Sequence, residues 1–363
     1  MKTVAVFTDT YLPTVNGVTY TVNTWRDRWL DRDGRMPVVY PDADGYQPDA
    51  GEFPVRSLPF PFYEGFRFGV PRIPDDLPDP DVVHAHTPFA LGLAGRRLAG
   101  KRDIPLVVSY HTPAHEYADY ISDALAGVIR RAADRYEKWY FSEADAVVVP
   151  SETAAETVDT GSTPTHVISN GVDTDRFQPA DEETVSAFRD RHGLPSGPIV
   201  GYTGRHGYEK RLQDLLTATE GLDVTVAIGG DGPAREDLEA QAGDREDVHF
   251  LGFLDREDLA TFYTMLDAFA FPSPVETQGL VALEAIACGT PVVAADSGAL
   301  SETVDDGVTG YHFPVGDTDR FRAAIDRTLS DIETLSGKCL QQRDRLSVER
   351  SIDKLADVYD DVS

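Results

Sequence analysis

Cysteine and lysine are both scarce in this sequence. Only Cys288 and Cys339 carry a thiol among 363 residues, which leaves no disulfide framework and points to a reduced cytosolic setting. Lysine occurs six times. No apolar run approaches the roughly 18 residues of a membrane span. The N-terminal apolar stretch is only Val4 to Phe7 and is closed by Asp9, so a signal peptide is not expected. These absences argue against a secreted, membrane-spanning or collagen-like protein. With 41% hydrophobic and 26% charged residues, the chain is neither disordered nor fibrous. Its length, at roughly 150 residues per domain, predicts two domains.

Acid is what the chain has in abundance. It carries 42 Asp and 20 Glu against 27 Arg, for a formal charge of −29. Many short carboxylates with few lysines is the surface expected of a protein kept soluble in concentrated salt. A halophilic source is therefore the expectation, with the charge serving solubility rather than function. Nucleic-acid binding is disfavoured, because phosphates would meet a repelling field. Five Asp-x-Asp pairs (31/33, 42/44, 79/81, 173/175 and 317/319) invite a metal-diphosphate reading. About five such pairs arise by chance at this aspartate content, so no metal is expected.

The first half alternates short apolar runs with amphipathic stretches. VAVF (4–7) leads to a helical stretch from Val18 to about Arg32, and VVYP, VRSL, DVVHAH, PLVVSYH, AVVVPS and HVIS follow. Helices are predicted between most of these, including Ala90–Gly100 and Ala118–Ser142. The second half repeats the pattern with IVGYTG, VTVAIGG, VHFLGF, AFAFP and PVVAAD, separated by helical stretches at Arg235–Gln241, Asp258–Met265 and Leu280–Cys288. Near-continuous apolar runs suit strands covered on both faces of a parallel sheet. The segment Phe177–Pro198, with three prolines, reads as a linker plus a short helix. The predicted fold class is α/β, two doubly wound Rossmann-like domains facing across a cleft. Ligands in such sheets sit beyond the carboxyl ends of the strands.

The chemistry-bearing loops fall at those ends. Asn16-Gly17 follows the first strand and opens a helix, where the Gly17 amide could approach a phosphate. Arg205 follows IVGYTG and Lys210 lies five residues on, a planar fork and a point charge suited to a diphosphate. A surface ion pair of Lys210 with Glu209 or Asp214 is the plainer alternative. The string from Glu276 to Glu284 straddles a helix start, where the amides around Gln278, Gly279 and Leu280 form a phosphate cradle. Glu284 could accept two ribose hydroxyls, and Glu276 could hold sugar hydroxyls; helix capping is the plainer role for Glu276 alone. His111 ends the PLVVSYH strand. His84 and His86 form an HxH pair, but no third and fourth ligand stands at convincing spacing for zinc. The Gly229–Pro233 turn is no GxGxxG, and no P-loop is present.

Charge is uneven within this acidic chain. Residues 1–178 carry net −9 and residues 179–363 net −20, whereas 96–138 reverse to +2. In that stretch Arg131, Arg135 and Lys138 share one predicted helical face, followed by Trp139, Tyr140 and Phe141. Such a patch could rest on an anionic bilayer; an ordinary solvated face with a core-facing aromatic end is the alternative.

PSPVETQGLVALEAIACGTPVV, with NGVDTDRF, GRHGYEK and GDGP in the chain, resembles the retaining family-4 glycosyltransferases of two-domain GT-B fold. The resemblance runs from TDTYLPTVNG to about Tyr311. It implies an acceptor-binding domain over 1–178, a nucleotide-sugar domain over 179–340, and a terminal helix over 341–363 that crosses back to the first domain. It further implies that Arg205 and Lys210 hold the diphosphate, Glu284 the ribose and Glu276 the transferred sugar. Gly17 would approach the phosphates and His111 would lie beside the reacting sugar. PDVVHAHTPFALGLAGRRLAGKRDIPLVVSYHTPAHEYADYI resembles the acceptor domain of glucosyltransferases acting on diacylglycerol-type lipids, with Pro113-Ala114-His115 as a departure.

The implied activity is retaining hexosyl transfer from a nucleotide-sugar of the UDP-glucose or GDP-mannose type. The implied acceptor is a membrane glycerolipid, an archaeol glycolipid in a haloarchaeon, with a surface glycan or N-glycan precursor as the alternative. No cofactor is implied. The setting would be cytoplasmic, with peripheral contact on the inner face of the membrane. A sugar-nucleotide epimerase, an inactive nucleotide-sugar scaffold and, last, an HxH metallohydrolase are the rivals.

Overall fold

The computed structural model describes residues 1–59, 67–111 and 126–363. The chain divides into two compact units, one of Met1–Asn170 with Val348–Ser363 and one of Gly171–Ser347.

In the first unit, strands β1 (Val4–Phe7), β2 (Val38–Pro41), β3 (Glu52–Val55), β4 (Ser57–Pro59), β5 (Arg67–Gly69), β6 (Val82–Ala85), β7 (Leu106–Ser109), β8 (Ala146–Val149) and β9 (Thr165–Val167) accompany helices α1 (Gly17–Asp31), α2 (Ala90–Arg102), α3 (Ala126–Ser142) and α4 (Glu152–Thr157). The main sheet is parallel in the order β3-β2-β1-β6-β7-β8-β9, and β4 and β5 make a separate antiparallel pair. Alternate residues feed two apolar layers. Val4, Val6, Val82, Val107 and Val148 face one with Trp25 and Trp29 of α1. Ala5, Phe7, Val83, Val108 and Val149 face the other with Leu91 and Leu98 of α2. Burial on both faces is why these strands read as unbroken apolar runs. Asn16 starts α1 by accepting the Thr19 amide at 3.0 Å, an ordinary N-cap.

The second unit holds α5 (Glu182–His192), β10 (Ile199–Thr203), α6 (Leu212–Ala218), β11 (Thr225–Gly229), α7 (Arg235–Ala242), β12 (Val248–Gly252), α8 (Leu259–Met265), β13 (Ala268–Phe271), α9 (Leu280–Ala287), β14 (Val292–Ala295), α10 (Leu300–Thr303), β15 (Gly310–Phe313), α11 (Thr318–Ser330), α12 (Ile332–Gln341) and α13 (Arg343–Leu346). Its sheet is parallel in the order β12-β11-β10-β13-β14-β15. The final helix, α14 (Val348–Asp361), belongs to the first unit. There Ile352, Leu355, Val358 and Tyr359 join the layer of Trp25 and Trp29.

Four expectations shift. The units part at Asn170/Gly171 rather than after residue 178, because Val172 and Phe177 are buried in the second core. Phe177–Pro198 holds the short helix expected there, α5, but is not a linker, since Phe188 packs on Phe262 of α8. Of 341–363, only the part from Val348 joins the first unit. VRSL is split, Val55 closing β3 and Ser57 opening β4. The HTPAHEYADYI segment beyond His111 lies outside the described residues.

A buried polar cluster ties the edge of the first sheet to α1. The Glu52 carboxylate accepts from Tyr11 at 3.0 Å, Tyr46 at 2.8 Å and the Asp49 amide at 3.1 Å. The Arg26 guanidinium stands 3.7 Å away. Burial and the nearby Glu52 charge raise the tyrosine hydroxyls well above their ordinary range. Removing the carboxylate would leave an unpaired buried cation and stranded phenols. Glu52→Ala should therefore cost about 3–5 kcal/mol, and Glu52→Gln clearly less. Tryptophan fluorescence in urea reports it cleanly, since Trp25, Trp29 and Trp139 all lie in the first unit. An unchanged midpoint for the alanine variant would show that the cluster is dispensable.

Candidate functional site

Strand order reverses at β10 in the second unit, with β11 on one side and β13 on the other. At such a point the loops leaving adjacent strands diverge and open a ligand crevice at the carboxyl edge. The loop after β10 carries Arg205 and Lys210, the latter in a single 3₁₀ turn at Tyr208–Lys210. The loop after β13 carries Glu276, Gln278 and Gly279, and Leu280 opens α9. Because β10 and β13 are neighbours, the loops meet: Lys210 Nζ lies 2.5 Å from Glu276 Oε1, both largely buried. Burial by itself would lower the Lys210 ammonium, but the Glu276 carboxylate outweighs it and the net shift is upward. Lys210 is thus a fixed cation.

The surface pairs anticipated for Lys210 are taken by other partners. Glu209 pairs with Arg205 at 2.5 Å, and Asp214 pairs with Arg211 at 2.7 Å. The Arg205–Glu209 pair is half-exposed, so releasing that guanidinium to an anion costs little. Beneath the loop Tyr202 is fully buried and its hydroxyl donates to the Arg205 carbonyl at 3.3 Å.

Two glycines permit this geometry. Gly230 has φ +103°, and a Cβ there would stand 2.0 Å from the Gly204 carbonyl oxygen, so the loops after β10 and β11 touch backbone to backbone. Gly279 has φ +80°, and its Cβ would meet Leu300 at 2.7 Å. Both are conformations a side chain would strain. The loop before α9 is also pinned from behind, by Ser297 donating to the Pro274 carbonyl at 2.8 Å and Thr303 to that of Gln278 at 2.6 Å.

Glu284 sits one turn into α9 and is 3% exposed. Tyr263 of α8 donates to its Oε2 at 2.8 Å. Burial raises the carboxyl to about 7, against the opposing pull of Arg256, the Tyr263 hydrogen bond and Arg176. The sequence marked Glu284 but not Tyr263, which stands mid-helix among apolar residues without a motif.

Gly17 and His111 lie in the first unit. Gly17 is the first residue of α1, with nothing within 4 Å of where a Cβ would stand. His111 follows β7, and its Nε2 is 2.9 Å from Nδ1 of His86. His84 is engaged on both nitrogens, by Tyr359 at 2.6 Å and Ser109 at 2.8 Å. Burial lowers the imidazoles, His84 to about 3 and His111 to about 4. Among the described residues no group of three or more His, Cys, Asp or Glu side chains could hold a metal ion.

Asp9, directly beyond β1, escaped the sequence reading as more than the end of an apolar run. It is buried, accepts from Thr87 at 2.6 Å and from the Leu91 amide at 3.0 Å, and burial raises it to about 6.

Arg131, Arg135 and Lys138 are exposed along α3. Trp139 is 41% exposed with Arg96 over its ring at 4.9 Å, whereas Tyr140 and Phe141 are core. Lys138 pairs with Asp159 at 2.6 Å.

The family described as "Glycosyl transferases group 1" matches residues 185–339, and "Glycosyltransferase Family 4" matches residues 15–176. The chain is 29% identical over 330 residues to the alpha-monoglucosyldiacylglycerol synthase of Streptococcus pneumoniae, covering 85% of this chain and 74% of the relative. It is 31% identical over 347 residues to a GDP-mannose-dependent alpha-mannosyltransferase of Mycolicibacterium smegmatis, covering 91% and 88%. In fold it is similar to Anabaena HepE solved in complex with UDP, with a TM-score of 0.76 at 20% identity over 99% of this chain and 100% of that one. Two parallel-sheet Rossmann-like units, each matched by its own half of one enzyme family, make this chain a member of the family-4 glycosyltransferases.

Proposed function

We propose that this glycosyltransferase moves a hexose with retention from a nucleoside-diphosphate sugar to a glycerolipid. The observation that carries the donor site is the Lys210–Glu276 pair at the carboxyl edge where β10 meets β13, beside the start of α9. Lys210, with Arg205 released from Glu209, would neutralise the leaving diphosphate, and the amides around Gln278–Leu280 would add dipolar support. Glu284 would take the ribose hydroxyls and Glu276 those of the sugar. A carboxylate already held by an ammonium at 2.5 Å is a poor nucleophile, which favours attack on the same face without a covalent intermediate. The acceptor oxygen bonds to the anomeric carbon as the carbon–phosphate oxygen bond breaks, and the acceptor proton passes to the departing phosphate.

The acceptor is assigned to the first unit, with His111. Its lipid class rests on the likeness to the diacylglycerol-lipid synthase, and the exposed Arg131, Arg135, Lys138 and Trp139 of α3 suit an anionic bilayer. The acidic surface suits a halophile, in which that lipid would be archaeol-based. The nearest rival donor to UDP-glucose is GDP-mannose, as used by the mannosyltransferase relative.

A melting scan in multimolar KCl tests the donor. UDP-glucose or GDP-mannose should raise the midpoint by mass action, and Glu284→Ala should abolish the rise. No rise with either nucleotide-sugar would count against the donor reading. The same site sets a pH dependence. A carboxyl raised from 4.5 to about 7 is protonated below that pH, and the stability this gives the free protein is complete below pH 4.5 and lost as the pH rises through about 7. Donor hydroxyls favour the carboxylate, so affinity should fall towards about tenfold per unit as pH drops below 7; titration calorimetry between pH 5.5 and 8.5 reads it.

Lys210→Ala should lower kcat about 10²–10³-fold with a smaller change in donor KM. A near-normal kcat would remove leaving-group stabilisation from its role. Co-sedimentation with anionic glycerolipid vesicles should be reduced several-fold in Arg131→Glu/Arg135→Glu; equal sedimentation of the two proteins would remove α3 from the membrane contact.

A further inference from the structure

His84 and His86 stand at the end of β6 two residues apart, so both rings point to the same side of the sheet, the layer of α1 and α14. Their environments differ. His84 is locked at both nitrogens, by Tyr359 of α14 and Ser109 of β7. His86 lies over that fixed ring at a centroid separation of 4.2 Å and takes the edge of Trp25 at 5.7 Å. Its backbone amide is held by the Phe7 carbonyl at 2.9 Å. A fully buried ring walled on two sides has one orientation.

That orientation aims Nδ1 of His86 at Nε2 of His111, 2.9 Å away. The two ring planes differ by only 11° and the centroids are 5.2 Å apart. A centroid distance that exceeds the N···N distance by about one ring radius at each end means that the rings lie edge to edge in nearly one plane. They are not face to face. An in-plane contact is the geometry in which the N–H of one imidazole points along the lone pair of the other. Between two neutral imidazoles a single hydrogen occupies that line, so the nitrogen bearing it on one ring dictates the tautomer of the other.

We propose that His86 is the positioning residue for His111: their coplanar hydrogen bond fixes the plane of the His111 ring and the nitrogen that carries its hydrogen. This rests on the reading that His111 acts on the reacting groups, and it gives the HxH pair a task other than metal binding. His84 acts as a wall, anchored through Tyr359, and His86 as the pointer. His111, directly beyond the end of β7, meets the end of the neighbouring strand β6 through this contact.

The test separates alignment from chemistry. In the whole protein labelled with ¹⁵N-histidine, with His111 assigned through His111→Gln, nitrogen shifts should show one tautomer in the wild type. His86→Phe keeps the ring and removes the hydrogen bond; His111 should then show averaged tautomers. With UDP-glucose or GDP-mannose, whichever is turned over, kcat should fall about 10- to 100-fold while donor KM changes less than threefold. His86→Asn, whose amide occupies the place of Nδ1, should restore a single tautomer and most of kcat. Averaged tautomers in the wild type itself would overturn the proposal whether or not the variants fold. So would an unchanged His111 tautomer in His86→Phe. A wild-type rate for His111→Ala, alongside a single His111 tautomer in the wild type that is lost in His86→Phe, would instead remove the underlying reading of His111.

Discussion

A parallel sheet covered on both faces admits almost no polar chemistry along its strands. Everything else in this protein follows from that restriction. Val, Ala, Ile and Phe fill both layers of each unit, and reactive groups are displaced to the carboxyl edge. The reversal of strand order then decides which loops become neighbours. In the second unit it brings the loops after β10 and β13 together and thereby joins Lys210 to Glu276. In the first unit the corresponding reversal lies between β1 and β6, and there Asp9 meets Thr87; next to it, at the ends of β6 and β7, His86 reaches His111.

The interior is far less charged than the composition suggests. Surface carboxylates give the chain its net −29, yet the buried ionisable groups are either balanced or pushed toward neutrality. Burial raises Asp9 and Glu284 and lowers His84 and His111. Lys210 escapes the same pressure only because Glu276 faces it. A diphosphate brought to this edge would find its cations already paired and would have to compete with carboxylates for them. Such competition favours ligands that carry two negative charges over ligands that carry one.

Much of this was legible in the residues. Burial on both faces made the strands visible as unbroken apolar runs, and Gly279 followed by LVALEAIA announced the start of α9. What escaped depended on contacts between segments distant in sequence. Glu52 looked like one acid among many, because its partners Tyr11, Tyr46 and Arg26 come from separate loops and a helix. Tyr263 carried no motif, and spacing could not reveal that His86 of the HxH pair meets His111. The boundary near residue 170 was misplaced because proline content at 179–198 resembles a linker, whereas Phe177 and Phe188 are core residues.

Tyr359 of α14 caps His84 and packs on Trp29 at 5.3 Å. Between Asn170 and Val348 the ribosome makes the whole second unit. During synthesis, then, the first unit waits with the α14 side of its core open, Trp25 and Trp29 lacking part of their cover. Domains generally fold as they emerge, but this one cannot finish in that order. Its last helix is the final piece of the first unit, so completion of that unit is deferred until the second already exists.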